Sequence, residues 1–148
     1  MERVEILSLI EQFQFNFLDD SRWQFIVSGL KNTIIITFFA VLLGVFLGFL
    51  IAIVRSTHDK TGKLKILNVI CRVYLTVIRG TPTMVQLLIV YYVIFATVDP
   101  GKVIVAIIAF GMNSAAYVAE IVRSGIMSID QGQVEAGRSL GLNYTQTM

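Results

Sequence analysis

The 148-residue chain is 55% hydrophobic and only 15% charged, too apolar for an ordinary water-soluble domain of this size, and it reads as a bilayer protein. With a single cysteine, Cys71, and a single histidine, His58, an internal disulfide framework and a paired Cys/His metal site are both excluded. The net charge of +2 says little by itself; where the charges fall along the chain predicts the topology.

Residues 1–30 hold Arg3 and Arg22 against five carboxylates and are expected to lie outside the membrane as an extracytoplasmic segment. The acidic opening and the lack of a small-residue cleavage pattern argue against a removable leader. Trp23 falls where an aromatic would sit at the outer headgroup level. Residues 31–54 form the first predicted transmembrane helix, since a span needs about 20 mostly apolar residues and 32–54 contain no charge. On it Ala40, Gly44, Gly48 and Ala52 recur every four residues. Such a small-residue stripe predicts close helix packing within the chain, with a self-dimerising face as the alternative.

Residues 55–78 are read as a cytoplasmic basic loop leading into an amphipathic helix. Arg55, Lys60, Lys63, Lys65, Arg72 and Arg79 face only Asp59 in this part of the chain, an orientation signal by the positive-inside tendency. Lys65, Asn68, Arg72, Thr76 and Arg79 share one side of the predicted helix, and Ile66, Val69, Ile70, Val73 and Val77 fill the other. This basic connector suits lipid contact better than nucleic acid.

Residues 79–98 form the second predicted span and open with "RGTPTMVQLLIVYY". Pro82 is expected to bend or restart the helix, with the flanking threonines satisfying freed carbonyls. Arg79, Thr83, Gln86 and Thr97 fall near one face, and a glutamine at this depth needs a protein partner or an aqueous path. After an external turn at 99–102, residues 103–125 form the third span. Its Gly111, Ala115 and Ala119 make a packing side, while Asn113, Tyr117, Glu120 and Ser124 gather opposite. Glu120 either pairs with Arg123 or another helix's arginine, or lines a path where it would favour cationic substrates. Gln86, Asn113, Tyr117 and Glu120 are the candidate substrate-path residues.

Residues 126–148 turn polar. A short helix over 133–140 ending at Gly141 predicts an elbow too poor in apolar residues to stand alone, and so seated in another protein. Glu135, Ala136 and Gly137, then three residues, then Gly141 resemble the EAA signature of ABC-transporter permeases, with Gly137 where that family usually has Ala. "RGTPTMVQLLIVYY" and "AAYVAEIVRSGIMSIDQGQVEAGRSLGL" are similar to the polar amino-acid uptake branch, which includes histidine, glutamine and arginine permeases. The likeness spans roughly residues 24–148.

That resemblance implies an all-α, polytopic fold with three of an expected five transmembrane helices present, and a chain truncated before the signature's later Ile and Leu-Pro. It implies that Glu135, Ala136, Gly137 and Gly141 form a coupling helix gripped by a cytoplasmic ABC ATPase. Further implied are alternating access, a second permease subunit in a homo- or heterodimer, an extracytoplasmic amino-acid-binding protein, and a bacterial-type inner membrane with the amino terminus outside. No cofactor or metal is expected. "TGKLK" lacks the early glycine and the Ser/Thr of a phosphate loop, so ATP hydrolysis belongs to a separate subunit. No nucleophile, base and acid stand at a recognisable spacing for a membrane enzyme. A small homo-oligomeric channel is the alternative, favoured by glycine-rich helices and a polar stripe, but it leaves the elbow unexplained. The "NYT" at Asn143 is a glycosylation sequon placed on the cytoplasmic side by this topology.

Overall fold

A computed structural model describes residues 21–98 and 100–147; the expectations for residues 1–20 lie outside the described residues. Among those described, every regular element is helical. The first, α1 (Trp23–Thr61), is one 39-residue helix, about 58 Å long at 1.5 Å per residue and nearly twice the hydrocarbon thickness. It takes in residues 23–30 and 55–61, on either side of the predicted span, because no proline or glycine pair interrupts the pattern. Gly62 ends it with a φ of 68°, its N–H bonding to the His58 carbonyl at 2.8 Å.

Then follow α2 (Lys65–Gly80), α3 (Thr83–Ile89), a π-helical turn (Val90–Ile94), α4 (Lys102–Met127), α5 (Gln131–Ser139) and α6 (Tyr144–Thr147). α1 and α4 are long and apolar enough to cross a bilayer, and the pair formed by α2 and the α3–π segment is bent by 111° at its break. The second predicted span is thus not one straight helix over 79–98. Residues 79 and 80 finish α2, and the climbing helix begins at Thr83.

The small-residue stripe of α1 is buried, and Ser56 continues it. It faces α4, whose own Gly111, Ala115 and Ala119 are buried. A Cβ on Gly44 would lie 2.6 Å from Ser114 Cβ, and one on Gly48 would lie 2.9 Å from the Ala115 carbonyl oxygen. Bare glycine faces are therefore what let these backbones touch, gaining dispersion contacts where burial alone gains little against lipid. Leu43 meets Gly111, Gly44 meets Ser114, Gly48 meets Val118 and Asp59 meets Arg123. The numbers rise together, so the two helices run parallel.

A parallel pair obliges the intervening chain to return along the bundle. Leu75 packs on Ala116 and Ala119 near one end, Gln86 reaches Asn113, and Val90 packs on Val105 and Ala109 toward the other. The α3–π segment thus climbs antiparallel to α4. Its twelve helical residues rise only about 18 Å, and the less regular stretch that follows completes the return. Most large apolar side chains outside these seams, Phe25, Phe38, Phe46 and Ile66 among them, are exposed, as expected where lipid or another membrane segment covers them.

Candidate functional site

The break between α2 and α3 is set by local chemistry. Proline disfavours a helical conformation in the residue before it, and Thr81 adopts φ −117°, ψ 143°. The carbonyls this frees find side-chain donors. Thr81 Oγ1 donates to the Val77 carbonyl at 2.9 Å, while Gln86 Nε2 donates to the carbonyls of Ile78 and Thr81 and to Thr81 Oγ1 at 2.7 Å. Gln86 Oε1 accepts from Asn113 Nδ2 at 3.1 Å, tying the break to α4. Gln86 is buried, and its hydrogen-bonding capacity is taken up by protein groups, so it acts here as a clamp on the bend.

One and two turns along α4 stand Tyr117 and Glu120. Arg55 Nη1 of α1 lies 2.7 Å from Glu120 Oε2, Arg79 Nη1 of α2 lies 3.6 Å from the same oxygen, and Arg123 Nη2 lies 2.8 Å from Oε1. Arg123 Nη1 also reaches Asp59 Oδ2 at 2.8 Å, and the Arg79 guanidinium lies 5.9 Å from the Tyr117 ring centre. Three helices meet at this carboxylate, which is about 10 Å along α4 from Met127. Both pairings considered for Glu120, with Arg123 and with another helix's arginine, are present. Three guanidinium groups stand against Glu120 and Asp59, so the surroundings of this carboxylate carry net positive charge. A cavity of about 480 Å³ opens beside it, lined by Arg55, Arg72, Thr76, Arg79, Tyr117 and Glu120 among others.

The four candidate path residues thus fall into two groups on one side of α4, the Gln86–Asn113 pair and the Tyr117–Glu120 arginine cluster. From the sequence, Arg55 and Asp59 carry only an orientation signal. The signal that would have found them is the four-residue stripe of α1, which continues past residue 54 through Ser56. On α2 the buried residues are Asn68 and Leu75; of its polar side only Asn68 is covered, while Lys65, Arg72, Thr76 and Arg79 are exposed, as are Ile66, Val69, Ile70, Val73 and Val77.

The tail forms the elbow. Asp130 caps α5 by accepting from the Gly132 N–H at 2.6 Å. The helix ends at Ser139, and Gly141 takes a φ of 86° while its N–H bonds to the Arg138 carbonyl at 3.0 Å. Asn143 and Gln146 cap α6 reciprocally at 3.0 and 2.9 Å. Gly137 faces α6, where an added Cβ would run into Thr147 Cγ2. No residue of α5 is buried, and Leu140 is 83% exposed.

Residues 44–148 match the family described as the binding-protein-dependent transport system inner membrane component. The chain belongs to this permease family. It is 34% identical over 146 residues to the probable amino-acid ABC transporter permease protein YckA of Bacillus subtilis strain 168, and 32% identical over 151 residues to the L-cystine transport system permease protein TcyB of the same organism. These alignments cover 95% and 100% of the present chain and 62% of each relative. A crystal structure of an amino acid ABC transporter with histidines superposes with a TM-score of 0.65 at 35% identity, covering 82% of this permease-family chain and 60% of that one. The permease resemblance and the all-α, multi-pass membrane fold both stand on these matches. The chain spans about three fifths of the length of the relatives it matches.

Proposed function

We propose that this chain serves as the membrane-spanning permease subunit of an ATP-driven importer of polar amino acids. An external binding protein delivers substrate, a second permease subunit completes the path, and a separate cytoplasmic ATPase drives alternating access. The observation that carries the reading is the elbow within the family-matched region: α5 has no buried residue and is stopped by Gly141, and the elbow bears Glu135, Ala136, Gly137 and Gly141 at the spacing of the coupling signature. An element with so little core of its own is stable in use when a partner covers it. The amino-acid permease relatives support the substrate class. The topology that suits this reading puts Thr61, Met127 and the elbow inside, where most of the basic residues lie.

The test is uptake of labelled glutamine, histidine and arginine by cells expressing the full transporter with its ATPase. Gly141→Asp is expected to abolish uptake while leaving the permease in the membrane at normal level and uncoupling ATP hydrolysis from transport. Undiminished uptake would remove the docking role. Uptake that persists without the ATPase would favour a channel.

A further inference from the structure

We propose that the arginine-lined cavity between α1, α2 and α4 binds the phosphodiester headgroup of an anionic phospholipid. The argument begins with charge. Arg55, Arg79 and Arg123 share only Glu120 and Asp59, and Arg72, which lines the same cavity, makes no ion pair or hydrogen bond among the described residues. Four guanidinium groups therefore stand against two carboxylates. Arg55 is nearly buried, its side chain 13% exposed, and its Nε has no hydrogen-bond partner. At Arg55, positive charge held away from bulk water needs a counter-anion; Arg72 and Arg79 are exposed and open to a ligand, and planar guanidinium forks match phosphate oxygens in particular.

Depth and surroundings choose a lipid over a soluble anion. The cavity lies at the Glu120 level, about 10 Å along α4 from Met127, close to the boundary between headgroups and acyl chains. Arg72 and Thr76 sit at the edge of α2, and the exposed stripe of Val69, Val73 and Val77 runs beside them on the same helix. A phosphate held by Arg72 and Arg79 would leave its acyl chains against that stripe. Basic pockets between membrane helices recognise anionic headgroups in this way. The site takes the leaflet on the Thr61 and Met127 side, so the inference does not depend on what the protein transports.

Native mass spectrometry of the full chain, purified from vesicles of mixed phosphatidylglycerol and phosphatidylcholine, tests it. Selective retention of phosphatidylglycerol is expected. Arg72→Gln should lower that retention about five-fold, and Arg72→Gln with Arg79→Gln roughly twenty-five-fold, while Lys102→Gln at the opposite end leaves it unchanged. Arg72→Gln touches no bonded partner and keeps the fold, which circular dichroism verifies. Equal retention of both lipids would overturn the proposal. So would retention indifferent to Arg72→Gln, or full displacement by millimolar inorganic phosphate, which would mark the cavity as a site for soluble anions.

Discussion

Replacing Gly48 by alanine asks whether the α1–α4 seam is held by close backbone approach. The added methyl would lie 2.7 Å from Val118 Cβ, 2.8 Å from Val118 Cγ1 and 2.9 Å from the Ala115 carbonyl oxygen. Ordinary contact between such atoms lies near 3.5 Å, so the helices must part by about 0.6–0.8 Å or twist. A valine branching at Cβ and a backbone oxygen cannot swing aside as a lysine tip would. Overpacking of this kind costs about 1–3 kcal/mol, and parting the helices also lengthens the Arg55–Glu120 and Asp59–Arg123 pairs along the same seam. The internal control is Gly29 on the same helix, where a Cβ meets nothing within 4 Å. There alanine removes only glycine's conformational entropy and should be neutral or stabilising, by up to about 1 kcal/mol. The thermal unfolding temperature in detergent micelles should therefore fall for Gly48→Ala and hold or rise for Gly29→Ala. A Gly48→Ala protein as stable as Gly29→Ala would refute the close-approach argument.

Other substitutions probe the bend, the ion cluster and the elbow. Gln86→Leu removes the donor to Ile78 and Thr81 and leaves Asn113 without its acceptor; unsatisfied buried groups cost about 1–3 kcal/mol each, so a large loss of thermal stability is expected. A Gln86/Asn113 double-mutant cycle should show non-additivity, and additive losses would mean the pair is not coupled. Glu120→Gln strips the shared partner from three arginines. Its side chain is 28% exposed, so water screening reduces the penalty of a fully buried pair to about 1–3 kcal/mol. Uptake of cationic and neutral amino acids should then fall together, and a selective loss of arginine uptake would restore direct charge attraction to the substrate. Gly141→Ala places a Cβ at a φ of 86° at a cost of about 1–2 kcal/mol, and is expected to reduce transport less than Gly141→Asp; an ordering the other way would argue that conformation alone sets coupling.

Much of this was legible in the residues because it depends on local properties. Charge-free length exposes a span whatever surrounds it, and a four-residue small stripe needs a second backbone whichever helix supplies it. Pro82 dictated an interruption because the ring acts on its own neighbours, and Gly141 ended a helix because only glycine takes that conformation freely. The likeness of 135–141 to the coupling signature was visible for the same reason.

What remained for the tertiary structure is pairing at a distance. No spacing in the chain tells Arg55 that Glu120, 65 residues away, will stand 2.7 Å from it, and so nothing local shows that the carboxylate is outnumbered by arginines. Whether Gln86 would face water or carbonyls depended on the angle at which α3 leaves α2, and the 111° bend decided it for the carbonyls. Arg72, Thr76 and Arg79 on the polar edge of α2 remain exposed and line the arginine cavity, a neighbourhood that only the placement of α1 and α4 creates. Helical periodicity defines which residues share a face, but the direction a face points is fixed by the neighbour it packs against.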